Sequence, residues 1–424
     1  MGSLSVKYQE PGIIQGDMSP FYITNDKSNL KFAMGFMNSC VAKQLINIIN
    51  PTITMPVGDI AKLPIYIHKK EQVETIVTKL IDLAKEDWDS FEVSWDYATH
   101  PLIRYRDDEE NCTIEAAFSR WEEVAESRFN QVKELEEALN SIFISIYGLE
   151  AQLNPNVEEK NITVRKADLQ REVKSLLSYF VGCIFGRYSL DQNGIIYAGG
   201  KWDISSYIRF KPDKDNCIPI SDEQYFEDDI VGQLCTFLKS VYGEKTLDQN
   251  LSYIARALGN KGNSSLEIIR NYFISDFFKD HCAVYSVTGS GRRPIYWLFD
   301  SGKQNGFKCL IYMHRYDKDT VGRVRSDYLR KVQDAIEGAL KNAEYTIANS
   351  TSAVDKAAAT KKREKYIKQL NETRTYFQAL SHVALQRIEI DLDDGVKTNY
   401  AKFQGIEIVD ENGKKQKIDL LAKI

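Results

Sequence analysis

Apolar residues recur at steps of three and four over several long stretches of the chain. Phe32, Phe36, Val41, Leu45 and Ile48 predict a helix over about 30–49, and Asn50-Pro51 ends it, because the residue before proline is pushed out of the α region. Val73, Ile76, Leu80 and Leu83 make one face of a second helix over 71–88. The clearest stripe runs from Ile114 through Phe118, Trp121, Ala125, Val132, Leu135, Leu139 and Phe143 to Ile146. At 1.5 Å per residue that helix is roughly 50 Å long, so it must lie along a partner. Before these helices, residues 1–30 hold Pro11, Gly12, Gly16 and Pro20 with β-rich pieces such as Phe21–Thr24, and predict turns and short strands.

After the break at Asn154-Pro155-Asn156 the pattern becomes mixed. Helices are expected at 166–185, 224–242, 247–258 and 265–278, and strands at 194–197, 283–286, 295–299 and 307–312. The last two strands flank the polar segment Asp300–Gly306 and predict a hairpin with a long tip. From Thr320 to Arg387 two apolar stripes, Tyr328–Ala343 and Tyr366–Val383, are separated by Asn349-Ser350-Thr351-Ser352. They predict an antiparallel helical hairpin serving as a protruding arm or spacer. Short strand-like runs at 403–409 and 417–421, with turns at 391–395 and 410–413, close the chain. The fold class is α+β and predominantly helical, with mixed α/β modules, long helices and a helical hairpin. The expected divisions are 1–69, 70–159, 160–320, 321–389 and 390–424.

Composition narrows the functional classes. The net charge of −5, from 55 basic and 60 acidic residues, argues against a protein that coats DNA with its whole surface. It leaves room for a local basic face, since phosphate binding depends on where the cations sit. The seven cysteines are scattered and never form C-x-x-C, and the five histidines are dispersed. Reduced core thiols in a cytoplasmic protein, with no metal site, are the expectation. The apolar run Leu176–Phe185 is far shorter than the roughly 20 residues of a membrane helix, so no membrane partner is expected.

Motifs of known mechanism are largely missing. There is no G-x-x-x-x-G-K-[ST], G-x-S-x-G, H-E-x-x-H or EF-hand spacing, and no arrangement that supports a nuclease. Thr288-Gly289-Ser290-Gly291-Arg292 is Gly-rich but lies between two strands, unlike a dinucleotide fingerprint. The basic residues are more informative. Arg292, Arg293, Lys303, Lys308, His314, Arg315, Lys318, Arg323 and Arg325 fall within 34 positions around the hairpin, interleaved with Gln304, Asn305 and three tyrosines. Guanidinium and amide groups reach phosphates and base edges, and a polar hairpin tip can enter a groove. Arg292, Arg293, Lys303, Asn305, Lys308 and Arg315 are therefore the candidate DNA contacts, against the bland alternative of ordinary surface cations. A second basic run over 356–374 is diluted by Glu364 and Glu372 and fits a solvated helix face. In Gly186–Asp191, Arg187 and Asp191 are placed to pair and fix a helix end. The carboxylates at 222–229 are best explained as helix capping.

The block Gly186–Asp191 with Gly194–Ala198, the run Arg293–Phe299, and the stretch Leu310–Tyr316 together resemble the PglX family, the adenine-specific DNA methyltransferases of BREX phage-exclusion systems. Gly186-Arg187-Tyr188-Ser189-Leu190-Asp191 with Gly194-Ile195-Ile196-Tyr197-Ala198 is similar to one family block. Arg293-Pro294-Ile295-Tyr296-Trp297-Leu298-Phe299, Ser301-Gly302-Lys303 and Leu310–Tyr316 are similar to another. Upstream, Gly35–Ser39, Asn50-Pro51-Thr52, Val57–Pro64, Ala84–Phe91 and Ser94-Trp95-Asp96 add to the resemblance, which spans residues 35–316. It implies a large modification enzyme with an N-terminal S-adenosylmethionine-binding domain and a C-terminal specificity region. This sequence has neither the [DNS]-P-P-[YFW] tetrapeptide nor the F-x-G-x-G cofactor loop. The aromatic that would stack on a flipped adenine is therefore missing. No catalytic or metal-binding residue is assigned here, and S-adenosylmethionine is expected only on a catalytic domain outside these residues.

On this reading residues 1–69 end a target-recognition-like segment and 70–159 form a helical spacer. The chain is expected to be a non-catalytic DNA-recognition module whose partners are double-stranded DNA and a methyltransferase catalytic domain. The alternative is a protein-interaction scaffold that docks other defence-system subunits.

Overall fold

The computed structural model describes residues 4–10, 12, 29–52, 56–106, 112–259, 262–287, 291–409, 413 and 415–424. The expected strand piece Phe21–Thr24, the Gly-rich residues Thr288–Ser290 and most of the turn at 410–413 lie outside them. The fold is α+β and predominantly helical, with small antiparallel sheets. Two compact units make up the chain: residues 1–94 with 119–168, and residues 95–118 with 169–424.

In the first unit the helix expected over 30–49 is two helices, α1 (Leu30–Asn38) and α2 (Cys40–Ile49). Ser39 breaks it in an extended conformation, and its Oγ accepts the Ala42 N–H to cap α2. An N-cap hydroxyl satisfies a backbone donor that the helix itself leaves unpaired, so the break costs little. Helix α3 (Lys70–Trp88) buries Val73 and Val77. Gly35 of α1 lets the backbones approach, since a Cβ there would sit 2.9 Å from Val77. Phe143 of the long helix α4 (Ile114–Tyr147) takes Phe32 and Phe36 edge-on, at 5.5 and 5.6 Å between ring centroids. Its first five residues belong to the second unit.

The second unit opens with α5 (Leu169–Ile184), which is buried almost throughout from Glu172 onward. Helices α6 (Ile230–Tyr242), α7 (Leu247–Leu258), α8 (Ser265–Ser275) and α9 (Phe277–Val284) follow. Asp229 caps α6 by accepting the Val231 and Gly232 N–H groups, and Arg270 clamps that carboxylate with two hydrogen bonds of 2.6 and 2.8 Å. Capping is thus the role of one carboxylate of the 222–229 group, and it starts the helix six residues later than its apolar pattern suggested.

The central sheet joins β1 (Ile218–Pro219), β5 (Lys308–Tyr312) and β4 (Tyr296–Asp300), all antiparallel. The register Tyr296↔Tyr312 to Asp300↔Lys308 makes β4 and β5 the expected hairpin. Both strands are buried on both faces, which is why they read as continuous apolar runs. A separate two-stranded ribbon, β2 (Ser286–Val287) with β3 (Gly291–Arg292), precedes β4. No strand forms at 194–197, and residues 283–284 finish α9 instead of starting a strand.

Helices α10 (Arg330–Asn349) and α11 (Ala353–Gln386) form the expected antiparallel pair, entered through a π-helical turn at Val324–Leu329. They do not protrude over their whole length. Tyr376, Ala379, Leu380 and Val383 of α11 are core residues beside Trp297, Phe299 and Cys309 of the sheet. Exposed Tyr345 and Val354 mark the far end. Helix α12 (Gly395–Ala401) and the ribbon β6 (Ile406–Val409)–β7 (Lys415–Ile418) complete the unit. Among the described residues no helix is long and apolar enough to cross a membrane.

Candidate nucleic-acid interface

The hairpin separates cations that are close in sequence. Arg292 and Arg293 precede β4, whereas Lys303 and Asn305 lie on the tip that follows it. A strand rises about 3.3 Å per residue, so the two groups are roughly 20 Å apart, at opposite ends of the hairpin. Arg315 follows β5 and returns to the Arg293 end.

Four of the six candidates are exposed: Arg292, Arg293, Lys303 and Asn305. The other two are taken up by the fold. Lys308 is buried and its ammonium pairs with Asp300, its cross-strand neighbour, at 2.5 Å. Such a lysine offers no charge to a phosphate. Arg315 lays its guanidinium 4.3 Å from the centre of the Trp202 ring and donates to the Lys214 carbonyl at 3.2 Å. Burial pulls its pKa down. Its donors are turned toward protein, and it organises the surroundings of Trp202 instead of facing outward.

At the Arg292 end, Arg292 pairs with Ser286 across the β2–β3 ribbon, and the Arg293 N–H donates to the Tyr285 carbonyl. Their backbones are thus fixed while their side chains are exposed. Lys397 of α12 joins them: a Cβ on Gly291 would stand 3.4 Å from its Nζ. No sequence spacing points to Lys397, which arrives from more than a hundred residues downstream. Among the described residues, Arg292, Arg293, Lys303 and Lys397 have no ion-pair partner. Two-stranded ribbons of this width fit the DNA major groove.

The tip is ordered by α11. The Glu372 carboxylate accepts hydrogen bonds from Ser301 Oγ at 2.7 Å, the Gln304 N–H at 2.8 Å and the Gly306 N–H at 3.1 Å. Gln369 Nε2 donates to the carbonyls of Gln304 and Asn305, each at 3.3 Å. Asn305 adopts φ = 51°, a left-handed conformation that Asn tolerates better than most residues. It therefore has a conformational reason to be there besides any base contact. Glu372 had weight in the sequence only as a charge diluting the basic run, yet it is the group that shapes the tip. Within that run Arg363 pairs with Glu344, Lys365 with Asp222 and Arg374 with Glu337, as a solvated helix face does.

The expected Arg187–Asp191 pair does not form. Asp191 loses solvation on burial, but its carboxyl is held below the usual range by the Ile208 and Arg209 N–H groups and the Arg209 side chain. Arg187 is buried among aromatic rings instead, donating to the hydroxyls of Tyr188 at 3.1 Å and Tyr312 at 3.2 Å. Nearby, His281 Nε2 accepts two backbone N–H groups, from Ile295 and Tyr296. Burial, with the Arg187 charge, pushes its pKa down to about 3. Through Arg187 the Gly186–Asp191 block thus ties β5 to the end of α5.

No family model matches the chain. It is 41% identical over 407 residues to the adenine-specific methyltransferase PglX of Lacticaseibacillus casei (strain Zhang), a match covering 95% of this chain and 33% of that relative. It is 32% identical over 429 residues to the adenine-specific methyltransferase BrxX of Escherichia coli O9:H4 (strain HS), covering 94% of this chain and 34% of that protein. The chain spans about a third of the length of these curated relatives. Over nearly all of its own length, then, it is homologous to part of the PglX- and BrxX-type adenine-specific methyltransferases.

Proposed function

We propose that this chain supplies DNA recognition to an adenine-specific methyltransferase of a phage-defence system, with methyl transfer carried out by a catalytic domain outside these residues. The observation that carries the reading is the group of exposed cations Arg292, Arg293 and Lys397 around the β2–β3 ribbon, which have no ion-pair partner among the described residues. Three other basic residues of the hairpin region are spent on partners within the fold: Lys308 on Asp300, Arg323 on Asp317 and Arg315 on Trp202. Cations left unpaired on a chain of net charge −5 are a local feature of the kind that phosphate binding needs. Lys303 and Asn305, roughly 20 Å away on the clamped tip, provide a second point of contact along the duplex.

The test is duplex binding by the purified chain, followed by fluorescence anisotropy over a salt series. The reading expects an affinity that falls linearly with the logarithm of salt concentration, with further discrimination among duplex sequences. A folded chain with no measurable duplex affinity at low salt, co-purifying instead with other defence proteins, would favour the scaffold reading.

A further inference from the structure

We infer that Glu372 is a positioning residue for DNA recognition: its carboxylate holds the β4–β5 tip in the one shape that presents Lys303 and Asn305 outward. The inference rests on the DNA-recognition reading above and adds to it a residue that touches no DNA.

The tip, residues 301–306, contains two glycines and would have many conformations if left to itself. Three donors converge on the Glu372 carboxylate, two of them backbone N–H groups only two residues apart. Successive backbone N–H groups turned toward one anion form a concave nest, and hydrogen bonds to an ionised acceptor are about twice as strong as neutral ones. The approach is close. A Cβ on Gly306 would meet Thr373 Cγ2 at 2.8 Å, and one on Gly302 would stand 3.0 Å from Glu372 Oε2. Gly302 at φ = 130° and Asn305 at φ = 51° take up the bends. Gln369 binds the carbonyl side of the same turn, so both donors and acceptors of the tip backbone are tied to α11. With its N–H groups drawn inward, the tip leaves the Lys303 and Asn305 side chains exposed. Ordering the loop before binding removes an entropic cost that DNA would otherwise have to offset.

Electrostatics alone predicts the opposite sign for the same mutation. Glu372 is a negative charge just beneath a DNA-facing tip, so removing it should tighten binding if charge were its whole effect. Positioning predicts weaker binding. The test compares the full chain with Glu372→Ala and Glu372→Gln, which remove the same charge but differ in the acceptor they leave. Amide hydrogen exchange at Gln304 and Gly306 should accelerate at least tenfold in Glu372→Ala, and less in Glu372→Gln. Duplex affinity should drop in Glu372→Ala and be partly restored in Glu372→Gln. Lys303→Ala should reduce the salt slope by about 0.9 in the parent chain, the value for one phosphate contact, and leave it unchanged in the Glu372→Ala background. Unchanged exchange in a folded Glu372→Ala overturns the clamp. Tighter binding by both variants, or the same Lys303→Ala effect in both backgrounds, overturns the positioning role. A parent chain that binds no duplex while its tip amides stay protected overturns the recognition reading instead, leaving the clamp in place.

Discussion

Replacing Arg292 and Arg293 together by Ala removes two exposed guanidinium groups whose backbones are pinned by the ribbon pairing and the Tyr285 carbonyl. Neither side chain packs in the core, so stability should change by no more than ~0.5 kcal/mol. If each arginine neutralises one phosphate, each contributes about 0.9 to the slope of log affinity against log salt. The double mutant should then have a slope shallower by about 1.8. Its loss of affinity should be about 60-fold near 0.1 M salt and shrink to about 9-fold near 0.3 M, because the lost term is counterion release. Base-edge contacts behave differently: they cost ~1–3 kcal/mol each, at the cognate duplex only. Anisotropy titrations of a labelled mixed-sequence duplex at several salt concentrations separate the two contributions. An unaltered slope and affinity in a mutant that melts like the parent would refute the assignment of this patch.

Three further outcomes follow from the same geometry. Lys308→Ala should destabilise the second unit by about 3 kcal/mol in denaturant titrations by stranding Asp300, while the salt slope of DNA binding stays as it was. Asn305→Gly should leave the melting temperature about equal, since glycine's freedom from a Cβ clash in the left-handed backbone offsets its larger entropy loss on folding; a drop in duplex affinity alongside unchanged stability would assign the amide to DNA. Finally, burial pushes His100 and His281 down to about 3 and His314 to about 4, from an ordinary value of 6.5. A histidine held neutral in the fold contributes stability that is present above pH 6.5 and lost as pH falls toward its folded value. Each should therefore steepen acid unfolding by up to about 1.4 kcal/mol per pH unit below pH 6.5. Denaturant midpoints that stay constant between pH 7 and pH 5 would contradict this.

Periodicity and local turn chemistry made much of this protein readable from its residues. The stripes of α3, α4, α10 and α11, the turn at Asn349–Ser352 and the β4–β5 pairing are local properties, because an element's buried face must repeat with its own geometry. Where a local polar group outcompetes that repeat, as Ser39 does between α1 and α2 and Asp229 does before α6, the boundaries move. The basic cluster was equally visible as a count of cations. Which of those cations faces solvent is a different kind of fact. Lys303 and Lys308 are five residues apart and chemically the same, yet one is exposed and the other neutralised by its cross-strand partner. Glu372 reaches the tip across 66 to 71 residues of sequence, and Lys397 reaches the ribbon from farther still. Asp191 chose Arg209 over the nearby Arg187. A charge is either spent or left free by whatever the folded chain brings within hydrogen-bond reach, and composition carries no information about that distance.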